Sequence, residues 1–167
     1  MAITYTGTIT GPLANLRNLI ADCDAFRAWT GTATQAAARA RCHFVSQVPG
    51  RMPRPHVMLG LGDGWRREKH AEGVPPPFRT VGGYWLRFED IVNTAYEGNP
   101  AQEALAFINA VEAIEEEMEG KSGGNDGSFR IGAIAPTTPT PFVSAHEEGE
   151  KDLYFLWEWI VDPGWAK

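Results

Sequence analysis

The ten residues Asp152-Leu-Tyr-Phe-Leu-Trp-Glu-Trp-Ile-Val161 leave this chain little freedom in how it folds. Leu153, Phe155, Trp157, Trp159 and Val161 alternate strictly, which places them on one face of an extended strand. Tyr154, Leu156 and Ile160 make the opposite face largely apolar as well. Such a strand needs cover on both sides, so it belongs inside a sheet with further layers around it.

The other elements supply those layers. Leu13, Leu16, Leu19, Ile20, Cys23 and Phe26 recur at helical spacing after Gly11-Pro12, predicting one helix that Trp29 and Gly31 close. Thr32-Ala-Thr-Gln35 has capping-box spacing ahead of a short helix built from the alanines at 36–38 and 40. Cys42–Val45 reads as a short strand, and His56–Gly62 as another that Gly60 and Gly62 bend. In Tyr84–Val92, Tyr84, Leu86 and Phe88 share one face while Trp85, Arg87 and Glu89 take the other. Asn99-Pro-Ala-Gln102 opens the strongest helix, with Ala104, Phe107, Ile108, Val111, Ile114 and Met118 as its buried stripe and Gly120 as its stop. Ser128–Ala135 predicts a strand with Phe129, Ile131 and Ala133 on one face.

The expected fold class is α+β: a largely antiparallel sheet of four to five strands with two or three helices packed against it. At 167 residues the chain is expected to form one domain over 1–167. Two stretches read as extended loops, 63–81 with its three prolines, and 136–150, rich in proline and threonine before an acidic turn.

Charge is unevenly placed along the chain. Residues 1–70 balance at +5 and residues 71–167 at −11, within a net −6. A uniformly basic nucleic-acid binder does not look like this. A two-signed surface suits copies docking head to tail, basic against acidic, although a solvated surface with chance asymmetry gives the same sums. The opening residues lack a basic run followed by an apolar core, and no apolar stretch reaches membrane-spanning length. The expectation is a chain made in a cytoplasm that stays in solution, with no membrane partner.

Signatures of catalysis are sparse. Cys23 and Cys42 are the only cysteines, with no CxxC pair for a zinc site or disulfide framework. His43, His56, His70 and His146 are scattered without metal-ligand spacing. Cys42 and His43 are adjacent, yet a strand sends neighbours to opposite faces, which separates them as a nucleophile pair. Gly60-Leu-Gly62-Asp-Gly64 is a broken glycine pattern followed by charge instead of a helix. Glu112, Glu115, Glu116, Glu117 and Glu119 form an acidic helix face; within it the consecutive Glu115–Glu117 fan around the axis and do not converge on an ion without outside ligands. The run Trp65-Arg66-Arg67-Glu68-Lys69 can touch phosphates, or its basic residues can pair with acids on this chain or a neighbour. No catalytic residue, cofactor or metal is expected.

Four stretches together resemble the tail-terminator and tail-completion proteins of long-tailed bacteriophages: Leu13–Asp22 with Phe26-Arg-Ala-Trp29, Ala36–Arg41 leading to His43-Phe44, the helix from Asn99 to Met118, and the strand Tyr154–Val161. The resemblance implies a non-enzymatic α+β virion protein of the tail or neck, assembled in the host cytoplasm. It also implies a ring of copies, usually sixfold, that caps the tail tube protein and meets the head connector or stopper protein. DNA is then passing cargo. The loops at 63–81 and 136–150 are longer than in the smallest members, which makes Trp65, Arg66, Arg67, Lys69, Pro75, Pro76, Pro77, Phe78, Pro139, Pro141 and Phe142 the expected contacts, with the five glutamates as a channel or partner face. A head-completion role at the same neck, or a small cytosolic enzyme or ligand-binding domain, are the alternatives.

Overall fold

The structure, a computed structural model, describes residues 10–44, 52–63, 65–69, 78–92, 100–122, 130–144 and 153–163. Their elements run α1 (Thr10–Asp22), α2 (Asp24–Thr30), α3 (Gln35–Arg39), β1 (Cys42–Phe44), β2 (His56–Leu61), β3 (Arg66–Lys69), β4 (Phe78–Val81), β5 (Tyr84–Ile91), α4 (Pro100–Lys121), β6 (Ile131–Pro136), β7 (Phe142–Ser144) and β8 (Tyr154–Pro163). The fold is α+β. Six strands form a mixed sheet in the order β1-β2-β5-β8-β6, with β7 also on β8, and only the β1–β2 pair is parallel.

Four helices stand where two or three are predicted, because the first predicted helix is two. Cys23 is extended, at φ −70° and ψ 127°, between α1 and α2. The apolar stripe hides the break, since Leu16, Ile20, Cys23 and Phe26 are all fully buried on either side of it. Gly31 ends α2 in the left-handed region at φ 64°. The cap of α3 is Thr34, whose hydroxyl accepts the Ala37 N–H at 3.2 Å, and not Thr32. The Thr32 N–H is committed to closing α2, donating to the Arg27 carbonyl at 2.9 Å. Helix α4 continues through Gly120 to Lys121 and buries Phe107, Val111, Ile114 and Met118. Its predicted cap, Asn99, lies outside the described residues.

The helices cover one face of the sheet. Val57, Leu59, Tyr84, Leu86, Phe88, Phe155, Trp157, Trp159 and Val161 point into that core with the apolar side chains of α1, α2, α3 and α4. β8 lies between β5 on one edge and β6 with β7 on the other, and Tyr154 and Leu156 on its second face are buried too.

Both predicted loops contain strands among their described residues. β2 and β5 pair from His56↔Glu89 to Leu61↔Tyr84, and beyond them β3 and β4 pair from Arg66↔Val81 to Lys69↔Phe78. Four positions, 62–65, separate β2 from β3, whereas only Gly82 and Gly83 separate β4 from β5. Gly82 and Gly83 have φ of 101° and 67°, open to glycine. A Cβ on Gly83 would stand 2.6 Å from Oδ1 of Asp162 and 3.1 Å from the Val161 carbonyl oxygen. Within 63–81, Arg66–Lys69 and Phe78–Val81 therefore form an outer arm beyond the β2–β5 pair. Among the described residues β3 and β4 lie chiefly against each other and meet the main sheet where β4 passes β8.

In the second stretch, the described residues 136–144 run from β6 through an excursion to β7 on one edge. β6 pairs with β8 from Ile131↔Pro163 to Pro136↔Trp159, and β7 resumes on the same edge at Phe142↔Leu156. Between them the Thr137 N–H donates to the Glu158 carbonyl at 2.8 Å, and the Trp157 indole donates to the Thr138 carbonyl at 3.0 Å. A further irregularity between Ile131 and Ala133 changes which residues face inward. Ile131 and Ile134 pack on the core, while Ala133, predicted on the Ile131 face, is exposed.

Candidate functional site

The predicted contact residues divide between two places. Trp65 is half-buried at the base of the arm, its N–H donating to the Gly62 carbonyl at 3.1 Å. Arg66 is exposed, Arg67 and Lys69 follow along β3, and Phe78 opens β4. Pro139 and Phe142 are exposed and Pro141 is half-buried, all at the excursion beside Leu156–Glu158. The arm leaves the sheet at the Tyr84/Val161 end instead, so the two groups sit on separate elements. Pro75, Pro76 and Pro77, like His70 and His146, lie outside the described residues.

On α4 the five glutamates separate. Glu112, Glu116 and Glu119 are exposed, and Glu115 is half-buried, its carboxyl pushed up by desolvation and by the charges of Glu119, Glu116 and Glu112. Glu117 turns inward. Its two oxygens accept the backbone N–H groups of Asp24 and Ala25, each at 2.8 Å, at the start of α2. Those N–H groups have no partner within their own helix, and Cys23 offers no side-chain cap. Lys121 completes the junction, donating to the last carbonyl of α1 at Asp22 (2.7 Å) and pairing with Glu117 at 3.2 Å. Desolvation opposes the charge on Glu117, but the two N–H groups and the ammonium outweigh it and hold the carboxyl below its ordinary value. Glu117 is thus a structural cap, distinct from the acidic face assigned to it with its neighbours.

A cleft of about 220 Å³ opens toward the other end of α4, lined by Trp29, Phe107 and Phe155 with Asp90, Glu103, Ile91 and Ala106. Four packed elements build it, α2, β5, α4 and β8. The Phe107 and Phe155 rings stack with centroids 5.5 Å apart, and Trp29 meets Phe107 at 6.1 Å and Phe88 at 5.9 Å. Asp90 ends the core face of β5, where its carboxylate accepts the Trp29 indole at 3.0 Å and the Ile91 N–H at 2.8 Å. Desolvation outweighs these two bonds and pushes its carboxyl up. Rings and carboxylates together form a surface for a cation carried on an apolar stem. The sequence gives little warning of it, because Trp29, Asp90 and Glu103 come together only through tertiary packing.

The sheet's second face holds a buried ionic cluster that the pattern also conceals. Glu89 is fully buried, opposite the equally buried His56, whose Nε2 lies 3.3 Å from its Oε2. Arg54 approaches the same oxygen at 3.5 Å while its guanidinium covers the Tyr154 ring at 3.5 Å. Arg87 lies 3.9 Å from Glu89, hydrogen-bonds Glu158 at 2.6 Å and stacks on Trp85. His43, on β1, packs edge-on against His56 with centroids 5.3 Å apart, and desolvation followed by the His56 charge lowers its pKa. The cross-strand ladder ties β1, β2, β5 and β8 together.

Cys23 and Cys42 are buried free thiols on the core side, their Sγ atoms donating to the Leu19 and Ala38 carbonyls. Among the described residues no cluster of His, Cys, Asp or Glu is arranged to hold a metal ion, and no helix is long and apolar enough to cross a membrane. No protein-family model, curated protein or solved structure matches the chain, so its site is read from its own geometry.

Proposed function

We propose that this chain is a non-enzymatic structural protein of a virion, a tail terminator whose copies form a ring that caps the tail tube and joins it to the head connector. The observation that carries the reading is the arm of β3 and β4, which extends the β2–β5 hairpin past Gly82 and Gly83 and, among the described residues, meets the main sheet chiefly at β8. An element of this kind stabilises its own fold little and is suited to clasping a neighbour. The α+β layer is the fold that the resemblance implies. Exposed Glu112, Glu116 and Glu119 with half-buried Glu115 suit the wall of a channel, where like charge keeps passing DNA from adhering.

A head-completion or stopper protein would use the same parts and differ in the neighbour it binds. The cleft beside Trp29 favours a second class of reading, a small ligand-binding domain. Negative-stain images of the purified chain, and of particles assembled without it, test the three. Rings of one size, with overlong or unattached tails beside filled heads when the chain is omitted, are the expected result. Normal-length tails beside leaking heads would move it to the head side of the neck. Normal infectious particles, or a small molecule carried through purification by a monomeric chain, would overturn the structural reading.

A further inference from the structure

Strand β5 has a polarity that its two ends make plain. At Tyr84 it joins the arm, whose strands carry Arg66, Arg67, Lys69 and Arg79 against the single acid Glu68. At Asp90 and Ile91 it enters the acidic aromatic cleft, and among the described residues lining that cleft none is basic. Arm and cleft thus sit at opposite ends of an eight-residue strand, roughly 23 Å apart at the usual rise.

We propose that the cleft formed by Trp29, Asp90, Glu103, Phe107 and Phe155 is the socket for a basic side chain from the β3–β4 arm of a second copy of this chain, a contact that rests on the ring reading above. The chemistry matches at both levels. An arginine or lysine presents a cation to Asp90 and Glu103 and lays its methylenes along the rings. Burial that disfavours the Asp90 charge in the lone subunit is relieved when a cation arrives. Ile91, 47% exposed on the rim, gives the arm an apolar ledge to cover. Because the donor and acceptor patches are different surfaces at opposite ends, the contact is heterologous, and repetition gives a closed ring or an open filament.

The test uses two full-length variants with complementary defects. Asp90→Asn with Glu103→Gln neutralises the socket and leaves the arm; Arg67→Glu with Lys69→Glu reverses the arm and leaves the socket. Circular dichroism and urea midpoints confirm that each folds. Light scattering on the eluting protein should show wild type as a salt-sensitive oligomer and each variant alone as a monomer, with association weakened on the order of a hundredfold. An equimolar mixture should form dimers and nothing larger, since one sound junction remains. Variants that keep the wild-type mass would overturn the socket while leaving the ring intact. A folded mixture that stays monomeric would overturn it as well, and a wild-type chain that is monomeric at every concentration would remove both readings. A socket filled by a small cationic ligand would appear as tight binding of free arginine that the arm variant retains, with no change in mass, and would also overturn the contact between copies.

Discussion

The carboxylate of Glu117 accepts the backbone N–H of Ala25 at 2.8 Å across 92 positions of sequence, closing a helix to which it does not belong. With the Asp24 N–H on its other oxygen, it supplies the cap that the chain itself does not provide at Cys23. Glu117→Ala should lower stability by about 1–2 kcal/mol, the usual worth of an N-cap, while Glu116→Ala should stay within about 0.5 kcal/mol. Urea unfolding of both variants measures the difference. The effect depends on pH with a definite sign. The folded carboxyl lies below its ordinary 4.5, so its contribution is complete above that value and is lost as pH falls through the depressed one. The gap between wild type and Glu117→Gln should therefore narrow below pH 4.5.

The hinge of the arm depends on Gly83. A methyl group there meets Oδ1 of Asp162 and the Val161 carbonyl while φ stays at 67°. Gly83→Ala should cost about 2–3 kcal/mol. Gly120→Ala is the control, because nothing lies within 4 Å of its added methyl in the last turn of α4. That change should raise stability by up to about 1 kcal/mol, and thermal unfolding distinguishes the two.

Removing Glu89 leaves the charges of Arg54 and Arg87, and His56 beside them, without their central partner on a closed face. Glu89→Ala should cost about 3–5 kcal/mol, the range for breaking a buried ion pair. Glu158→Ala, which frees an Arg87 side chain that is 27% exposed, should cost less than about 1 kcal/mol. Urea midpoints of the two variants, compared with wild type, check the ranking.

Both thiols should be inert in the folded chain. Burial, followed by the charge of Glu117, pushes Cys23 up to about 12, and burial pushes Cys42 up as well. Labelling with iodoacetamide at pH 8 should be roughly a thousandfold slower than in denaturant, where two thiols react. Rapid labelling of the native chain would mean that the α1–α2 junction opens.

If α4 faces a DNA channel, its outer charge governs passage and not folding. Replacing Glu112, Glu115, Glu116 and Glu119 with glutamine should leave the urea midpoint within about 0.5 kcal/mol of wild type and slow DNA ejection. Unchanged ejection kinetics would remove the channel role.

What the sequence reveals depends on whether the information is local. The alternation of Phe155, Trp157 and Trp159 and the stripe of Phe107, Val111 and Ile114 each lie within one element, and both are found where the pattern puts them. The break at Cys23 is invisible because its hydrogen bonds come from Glu117 and Lys121, distant in sequence. Arg66–Lys69 is a strand without apolar alternation, so it carries no period-two signal to read. Glu89 reads as a solvent-facing position by alternation and is buried only because Arg54, His56 and Arg87 close around it. The cleft is harder still, as Trp29, Asp90 and Glu103 come from three separate elements.

The kinked outer strand of β6 and β7 bears on solubility. Pro136, Pro139 and Pro141 remove backbone donors along it, and the excursion leaves no straight ladder for an incoming chain. At the opposite margin β1 is three residues long. Neither margin, within the described residues, is a template for cross-β growth. An unfolded or foreign chain therefore finds no long straight ladder to extend at either side of this sheet.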